Sequence, residues 1–188
     1  MMPILPDPLQ TGKLIEQDAL AIEVLPELQS RLSLRVAGGD RETLAAEIDI
    51  PLPDQIGLQA PLDGGAIACL GPDEWMMTLT RDLAALVQTR AGTASVPHAL
   101  VDISSRELTL VISGSDAREL LSVGCPRDLR SFTPGKACRT LCFDVPVILW
   151  CEAKDRYRLD VWRSFAPHLA SLLLQSARAI KAEKDLSV

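Results

Sequence analysis

The sequence predicts an α+β fold with mostly antiparallel sheets, built as two related split β-α-β modules. Three observations carry that prediction. Apolar residues alternate with polar ones at the two-residue period of half-buried strands, as at Leu32, Leu34 and Val36 or Leu108, Leu110 and Ile112. Only a few segments keep the apolar spacing of a helix, notably Leu83, Leu86 and Val87, and the stripe Leu169, Leu172, Leu173, Ala177 and Ile180. The elements also come in two rounds: strand, helix, strand, strand, helix, strand, and then strand, helix, three strands, helix.

Taken in order, residues 1–17 hold Pro3, Pro6 and Pro8. Proline fixes φ and withholds a backbone donor, so this stretch is predicted to be an extended arm. Residues 18–188 are predicted to form one α+β domain of two modules, about 18–104 and 105–188. Residues 31–36 alternate as a strand, with Arg31, Ser33 and Arg35 on the outward side. Gly38-Gly39-Asp40 turns the chain into a short helix ending near Glu47, and Pro51, Pro53, Pro61 and Gly64-Gly65 mark a loop. Residues 66–70 and 75–79 read as strands about the tight turn Gly71-Pro72-Asp73-Glu74. Thr80 is placed to cap a helix that stops at Gly92, and a strand follows around residues 97–103.

The second round opens with the strand through Leu108 and Ile112. Ser115 is placed to cap a helix ended by Gly124 and Pro126. Residues 138–143 and 146–151 read as a strand pair, the second apolar throughout and so buried on both faces. Residues 156–162 alternate, with Tyr157, Leu159 and Val161 inward and Arg158, Asp160 and Trp162 outward. Ser164 then caps the last helix, where Pro167 is tolerated in the first turn because donors there are unpaired anyway.

Bulk properties narrow the function classes. The chain has 188 residues, 47% hydrophobic and 23% charged, a globular profile large enough to bury a core without staples. The net charge of −6 argues against non-specific nucleic-acid binding. Residues 1–94 carry 14 acids and 6 bases, and residues 95–188 carry 11 acids and 13 bases. Arginine supplies most of the second half's basic residues, a composition that fits either a solvated face or a docking surface. No leader segment is expected at the N-terminus, and no run approaches the ~18 apolar residues of a membrane span. Cys69, Cys125, Cys138, Cys142 and Cys151 follow no framework spacing, which fits reduced thiols in a cytoplasm.

The search for chemistry finds little. No G-x-G-x-x-G is present, and Gly135-Lys136 fails as a phosphate loop because Arg130 stands where the first glycine belongs and Ala137 follows the lysine. Cys138 and Cys142 fall on one strand face about 13 Å apart, too far to share a zinc ion. His98 and His168 have no ligand-spaced neighbours, and none of Ser104, Ser105, Ser113 or Ser164 lies in a nucleophile elbow. Cys125 follows a helix C-terminus, whose dipole disfavours a thiolate. No catalytic, cofactor-binding or metal residue is therefore assigned. The candidate partner interface is Trp75, Arg127, Arg130, Arg158, Trp162 and Arg163, because tryptophan and arginine carry much of the energy of protein interfaces.

Four motifs in order add a resemblance. Leu70-Gly71-Pro72-Asp73-Glu74-Trp75, Asp102-Ile103-Ser104-Ser105-Arg106, Gly124-Cys125-Pro126-Arg127-Asp128-Leu129 and Arg163-Ser164-Phe165-Ala166 are similar to the gamma subunit of heterotetrameric sarcosine oxidase over roughly residues 65–180. Within it, Asp102-Ile103-Ser104, Gly114-Ser115-Asp116-Ala117 and Pro134-Gly135 resemble the folate-binding half of glycine-cleavage aminomethyltransferase. That second family carries an essential aspartate after the strand at residues 157–161. Here Trp162-Arg163-Ser164-Phe165 follows instead, and the chain is shorter than that family's full set of domains.

The first resemblance implies a cytoplasmic complex with alpha, beta and delta partners that oxidatively demethylates sarcosine to glycine and produces hydrogen peroxide. It implies FAD, FMN, NAD and tetrahydrofolate on those partners and none on this chain. It also implies that this chain supplies contacts and no catalytic group. The alternative is a stand-alone folate-binding or aminomethyltransferase-like protein, for which Asp102 and Asp160 are the candidate carboxylates.

Overall fold

A computed structural model describes residues 10–26 and 29–186. Pro3, Pro6 and Pro8 of the expected arm lie outside the described residues. The chain divides into two compact units. Each is an antiparallel sheet carrying two helices, so the α+β class and the antiparallel pairing are both present.

The first unit comprises residues 29–105 together with 135–138. Its strands are β3 (Gln29–Val36), β4 (Gln59–Leu62), β5 (Gly65–Gly71), β6 (Glu74–Thr80) and β7 (His98–Asp102), in the order β4-β5-β6-β3-β7. Helix α1 (Arg41–Ile48) follows β3, and α2 (Arg81–Ala91) follows β6. The alternating residues Leu32, Leu34, Trp75, Met77 and Leu79 meet Leu44 and Ile48 of α1 and Ala84 and Val87 of α2 in one hydrophobic core. Asp49 closes α1 at φ 56°, a left-handed position that aspartate tolerates, and its N–H reaches Ala45 and Ala46 carbonyls. Pro61 lies in edge strand β4, where the donor it lacks costs no ladder bond.

The second unit comprises residues 10–26, 106–134 and 139–186. Its sheet runs β1-β2-β8-β11-β10-β9, from β1 (Gly12–Gln17), β2 (Leu20–Val24), β8 (Glu107–Ser113), β9 (Lys136–Cys142, whose first three residues group with the first unit), β10 (Val145–Ala153) and β11 (Arg156–Trp162). Helix α3 (Ala117–Gly124) follows β8, and α4 (Ala166–Leu186) follows β11. Residues 18–26, placed by sequence with the first module, group with this one, because β2 pairs with β8 and aligns Ile22 with Ile112. Leu20, Ile22 and Val24 are buried alternately, which fixes that register.

Helix starts differ slightly from the expected caps. Thr80 holds the first position before α2 without a side-chain bond, and Asp116 rather than Ser115 precedes α3. Gly124 must be glycine: a Cβ there would sit 2.8 Å from the ring of Phe143, which itself holds φ 56°.

Candidate functional site

Two neighbouring features of the second unit gather its unusual side chains. The first is a buried polar cluster on the sheet face turned away from Tyr157, Leu159 and Val161. Antiparallel pairing places Asp160 opposite Thr109 of β8 and Ile148 of β10, and Arg158 opposite Trp150. Asp160 is 2% exposed. Its Oδ2 accepts a 2.7 Å bond from Trp150 Nε1, and its Oδ1 accepts from Thr109 Oγ1. Arg158 Nε stands 3.5 Å from the same Oδ2, and its guanidinium lies 4.0 Å over the Trp150 ring. Glu152 stands 3.7 Å from Arg158 Nη1 and also accepts from Arg156 Nε at 3.0 Å.

Every member of this cluster is paired with another, which is the condition for burying charge at tolerable cost. The Asp160 carboxylate is engaged at once by an indole, a hydroxyl and a guanidinium. Asp102, in the other unit, is also engaged: its Oδ1 accepts from Ser104 N at 2.8 Å and from Ser104 Oγ. Ser104 Oγ in turn accepts from Arg31 N at 2.9 Å.

The second feature is a surface patch at the end of β11. Trp162 and Phe165 are 47% and 41% exposed, with stacked rings 6.0 Å apart. The Arg106 guanidinium lies 5.4 Å from the Trp162 ring and bonds the buried Glu107 at 2.8 Å. The turn that carries the rings is pinned by Arg163 N to Arg106 O at 3.0 Å and by Phe165 N to Trp162 O at 2.9 Å.

The five cysteines are free thiols, all buried. Burial pushes Cys142 up to about 12, with the neighbouring Cys125 adding to the effect. Burial also raises the Cys69 and Cys151 thiols above their ordinary value. Among the described residues no group of three or more His, Cys, Asp or Glu side chains is placed to hold a metal ion. No described helix is long and apolar enough to cross a membrane.

Residues 42–180 match the model of the sarcosine oxidase, gamma subunit family. The chain belongs to that family. This gamma-family chain is 28% identical over 158 residues to sarcosine oxidase subunit gamma of Corynebacterium sp. (strain U-96), covering 81% of this chain and 77% of that one. It is 32% identical over 136 residues to the Arthrobacter sp. subunit gamma, covering 71% and 67%. Its fold matches a chain of the heterotetrameric sarcosine oxidase from Corynebacterium sp. U-96, solved with pyrrole 2-carboxylate, at TM-score 0.76 and 27% identity over 86% of this chain and 85% of that chain. It also shares a fold with the glycine cleavage system aminomethyltransferase T from Bartonella henselae, at TM-score 0.65 and 14% identity over 93% of this chain and 49% of that chain.

The sequence-predicted interface residues scatter within this gamma-family chain. Trp75 is a correction: it is buried, and its Nε1 donates to Pro53 O at 2.8 Å, so it cannot meet a partner. Arg158 is a second correction: its alternation with Trp162 predicts solvent exposure, while its pairing with Asp160 and Trp150 buries it. Arg31, expected outward on β3, is buried as well. Arg130 is on the surface, where its side chain bonds Asp128 at 2.9 Å and holds that carboxyl below its usual range. Arg127 is exposed with its guanidinium 5.2 Å over Phe132. Trp162 and Arg163 lie together in the surface turn. Sequence reasoning missed Arg106 and Phe165, the other two side chains of that patch. Both stand in motifs that carry the family resemblance, and the spacing of three between Trp162 and Phe165 across a helix start is the available signal.

Proposed function

We propose that this chain is the non-catalytic gamma subunit of a heterotetrameric sarcosine oxidase, which oxidatively demethylates sarcosine to glycine and produces hydrogen peroxide. Its partners are the alpha, beta and delta subunits, which carry FAD, FMN, NAD and tetrahydrofolate, and the complex works in the cytoplasm. The observation that carries this reading is the near end-to-end structural likeness to a chain of a heterotetrameric sarcosine oxidase. The side chains support it: Asp160, the most buried candidate acid, is held by Trp150, Thr109 and Arg158.

The test is to co-express the chain with the other subunits and to repeat the expression without it. The full set is expected to purify as a yellow complex that generates peroxide from sarcosine, and omission is expected to lower both yield and activity. Tight binding of tetrahydrofolate by the isolated chain would favour the stand-alone folate reading and overturn this one. So would a fully active complex assembled in its absence.

A further inference from the structure

We infer that the open edge of β7 (His98–Asp102) pairs with the same edge of a second copy of this chain, joining their five-stranded sheets about a two-fold axis. The inference goes beyond the gamma-subunit reading and does not depend on it. Strand β7 ends its sheet, with β3 on its inner side. Ile103 N donates to Arg31 O at 2.8 Å, so the antiparallel register turns the backbone groups of Ala99 and Val101 toward β3 and those of His98, Leu100 and Asp102 outward. An exposed edge of this kind is a template for another strand unless it is guarded. The other described edges are guarded: β4 by Pro61, β1 by a bulge between Lys13 and Ile15, and β9 by Lys136 and Arg139. The β7 sequence His-Ala-Leu-Val-Asp has no proline, lysine or arginine, its register with β3 is unbroken, and Val101 is 53% exposed.

The other unit shows what such a position accepts. There β2 stands beside β8 as β7 stands beside β3, and β2 carries a further antiparallel strand, β1. Ile22 lies opposite Ile112, which lies opposite Tyr157; Leu100 lies opposite Leu34, which lies opposite Trp75. Ile22 and Leu100 are therefore equivalent. Ile15 of β1 lies opposite Ile22, so a strand added to β7 is expected to set an apolar residue opposite Leu100. Leu100 packs on the core that includes Ala84 and Val87 of α2, which puts that residue on the helix side of the sheet. Space for it is present: a hollow of about 260 Å³ is lined by Gln88, Ala91 and Gly92 at the end of α2 and by His98 and Leu100.

The sequence of β7 selects the occupant. Set antiparallel against itself about Leu100, it places His98 opposite Asp102, Ala99 opposite Val101, and Leu100 opposite Leu100 of the second copy. The outward residues then meet outward residues, so their amides and carbonyls bond in pairs. This register supplies the apolar residue that the repeat calls for, and it sets each imidazole across from a carboxylate. Both side chains are already oriented: His98 Nδ1 stands 2.9 Å from Val96 O, and Ser104 engages Asp102 Oδ1. Centring the pair on His98 or on Asp102 instead would set like groups against each other, which is unfavourable.

The experiment measures the mass of the full-length chain by sedimentation equilibrium from about 1 to 100 μM, the range in which a small interface saturates. A concentration-dependent dimer is expected. His98→Asp, which sets an acid against Asp102, is expected to weaken it at least ~10-fold. Adding Asp102→His restores an opposed pair and is expected to recover most of that loss. Leu100→Pro removes an outward donor while leaving the bonds from Ala99 and Val101 to β3, and is expected to abolish the dimer. Far-UV circular dichroism checks that each variant folds, and the His98 and Asp102 variants decide the matter if the proline variant does not. A monomer at every concentration overturns the inference, as does a dimer that neither His98→Asp nor Leu100→Pro weakens. So does a monomeric chain whose Leu100→Pro variant no longer joins the co-expressed subunits, since the edge would then hold a strand of another subunit. The mass measurement needs no other subunit, so its failure is distinct from a failure of the gamma-subunit reading.

Discussion

The two units are built on one frame and use it differently. In one, β3, α1, β4, β5, β6 and α2 follow in order and pair as β3-β6-β5-β4; in the other, β8, α3, β9, β10, β11 and α4 pair as β8-β11-β10-β9. The flanking strand is β7 beside β3 in the first, and β2 from the N-terminal segment beside β8 in the second. The correspondence reaches single residues. Cys69 lies opposite Trp75, and Cys151 lies opposite Tyr157. Each cysteine precedes a bulge, and each thiol reaches the carbonyl two residues on, Gly71 at 3.2 Å and Ala153 at 3.4 Å.

The difference lies on the opposite sheet face. The positions held by Met76 and Thr78 in one unit are held by Arg158 and Asp160 in the other. The helix-packed face is thus repeated with its aromatic and its thiol, while on the other face two uncharged side chains are replaced by an arginine and an aspartate.

The sharpest way to break the comparison is to remove Asp160. Asp160→Ala takes from the buried Arg158 the more deeply buried of its two carboxylates, leaving only Glu152 at 3.7 Å, and a loss of about 3–5 kcal/mol in denaturant unfolding is expected. Thr78→Ala at the equivalent position is expected to cost only about 1 kcal/mol, the worth of an ordinary hydrogen bond. Equal losses would mean that the charged cluster has no special role. Slightly smaller is Gly65→Ala. The equivalent residue in the other unit is Val147, so the frame itself permits a side chain there. At Gly65, however, a Cβ would stand 2.1 Å from the Thr78 carbonyl oxygen. A loss of about 3 kcal/mol is expected, and a neutral substitution would show that this hairpin can relax to the geometry of its counterpart.

The repeated frame was largely legible because period-two alternation marks β3, β8 and β11 plainly. The β1-β2 hairpin was not, although Leu20, Ile22 and Val24 alternate, because the prolines before it suggested an unattached arm. Strand β4 was hidden by Pro61, which only an edge position accommodates. At the candidate site, polar alternation through Arg158 and Asp160 has the pattern of a solvent face. Burial of a charged pair depends on Trp150 and Thr109, which lie on other strands and carry no local signal. Arg106 reaches Trp162 only through the β8-β11 register, so the patch is a product of folding.

A third test addresses Cys142, a buried thiol lying outside the matched pair. Its folded value of about 12 lies above the ordinary value of 9.0. The unfolded chain therefore releases the proton first. Stability from this group is full below pH 9 and declines by about 1.4 kcal/mol per pH unit until the folded thiol ionises near pH 12. Cys142→Ala is expected to flatten that alkaline slope in urea unfolding at pH 8 to 10, and an unchanged slope would assign it to other groups.

The smallest effect tests the repeat itself. Cys69 and Cys151 have the same cross-strand aromatic neighbour, the same bulge and the same carbonyl contact. Burial raises both thiols, and a nearby guanidinium, Arg41 for one and Arg118 for the other, offsets part of that rise. Because packing and electrostatics match, Cys69→Ala and Cys151→Ala are each expected to cost about 1–2 kcal/mol and to agree within about 0.5 kcal/mol. Both native thiols are expected to resist alkylation at neutral pH until the chain unfolds. A large difference between the two variants would mean that the opposite face, with Met76 and Thr78 in one unit and Arg158 and Asp160 in the other, governs how each sheet absorbs a lost sulfur. The charged cluster would then be what sets the mechanical stiffness of its unit.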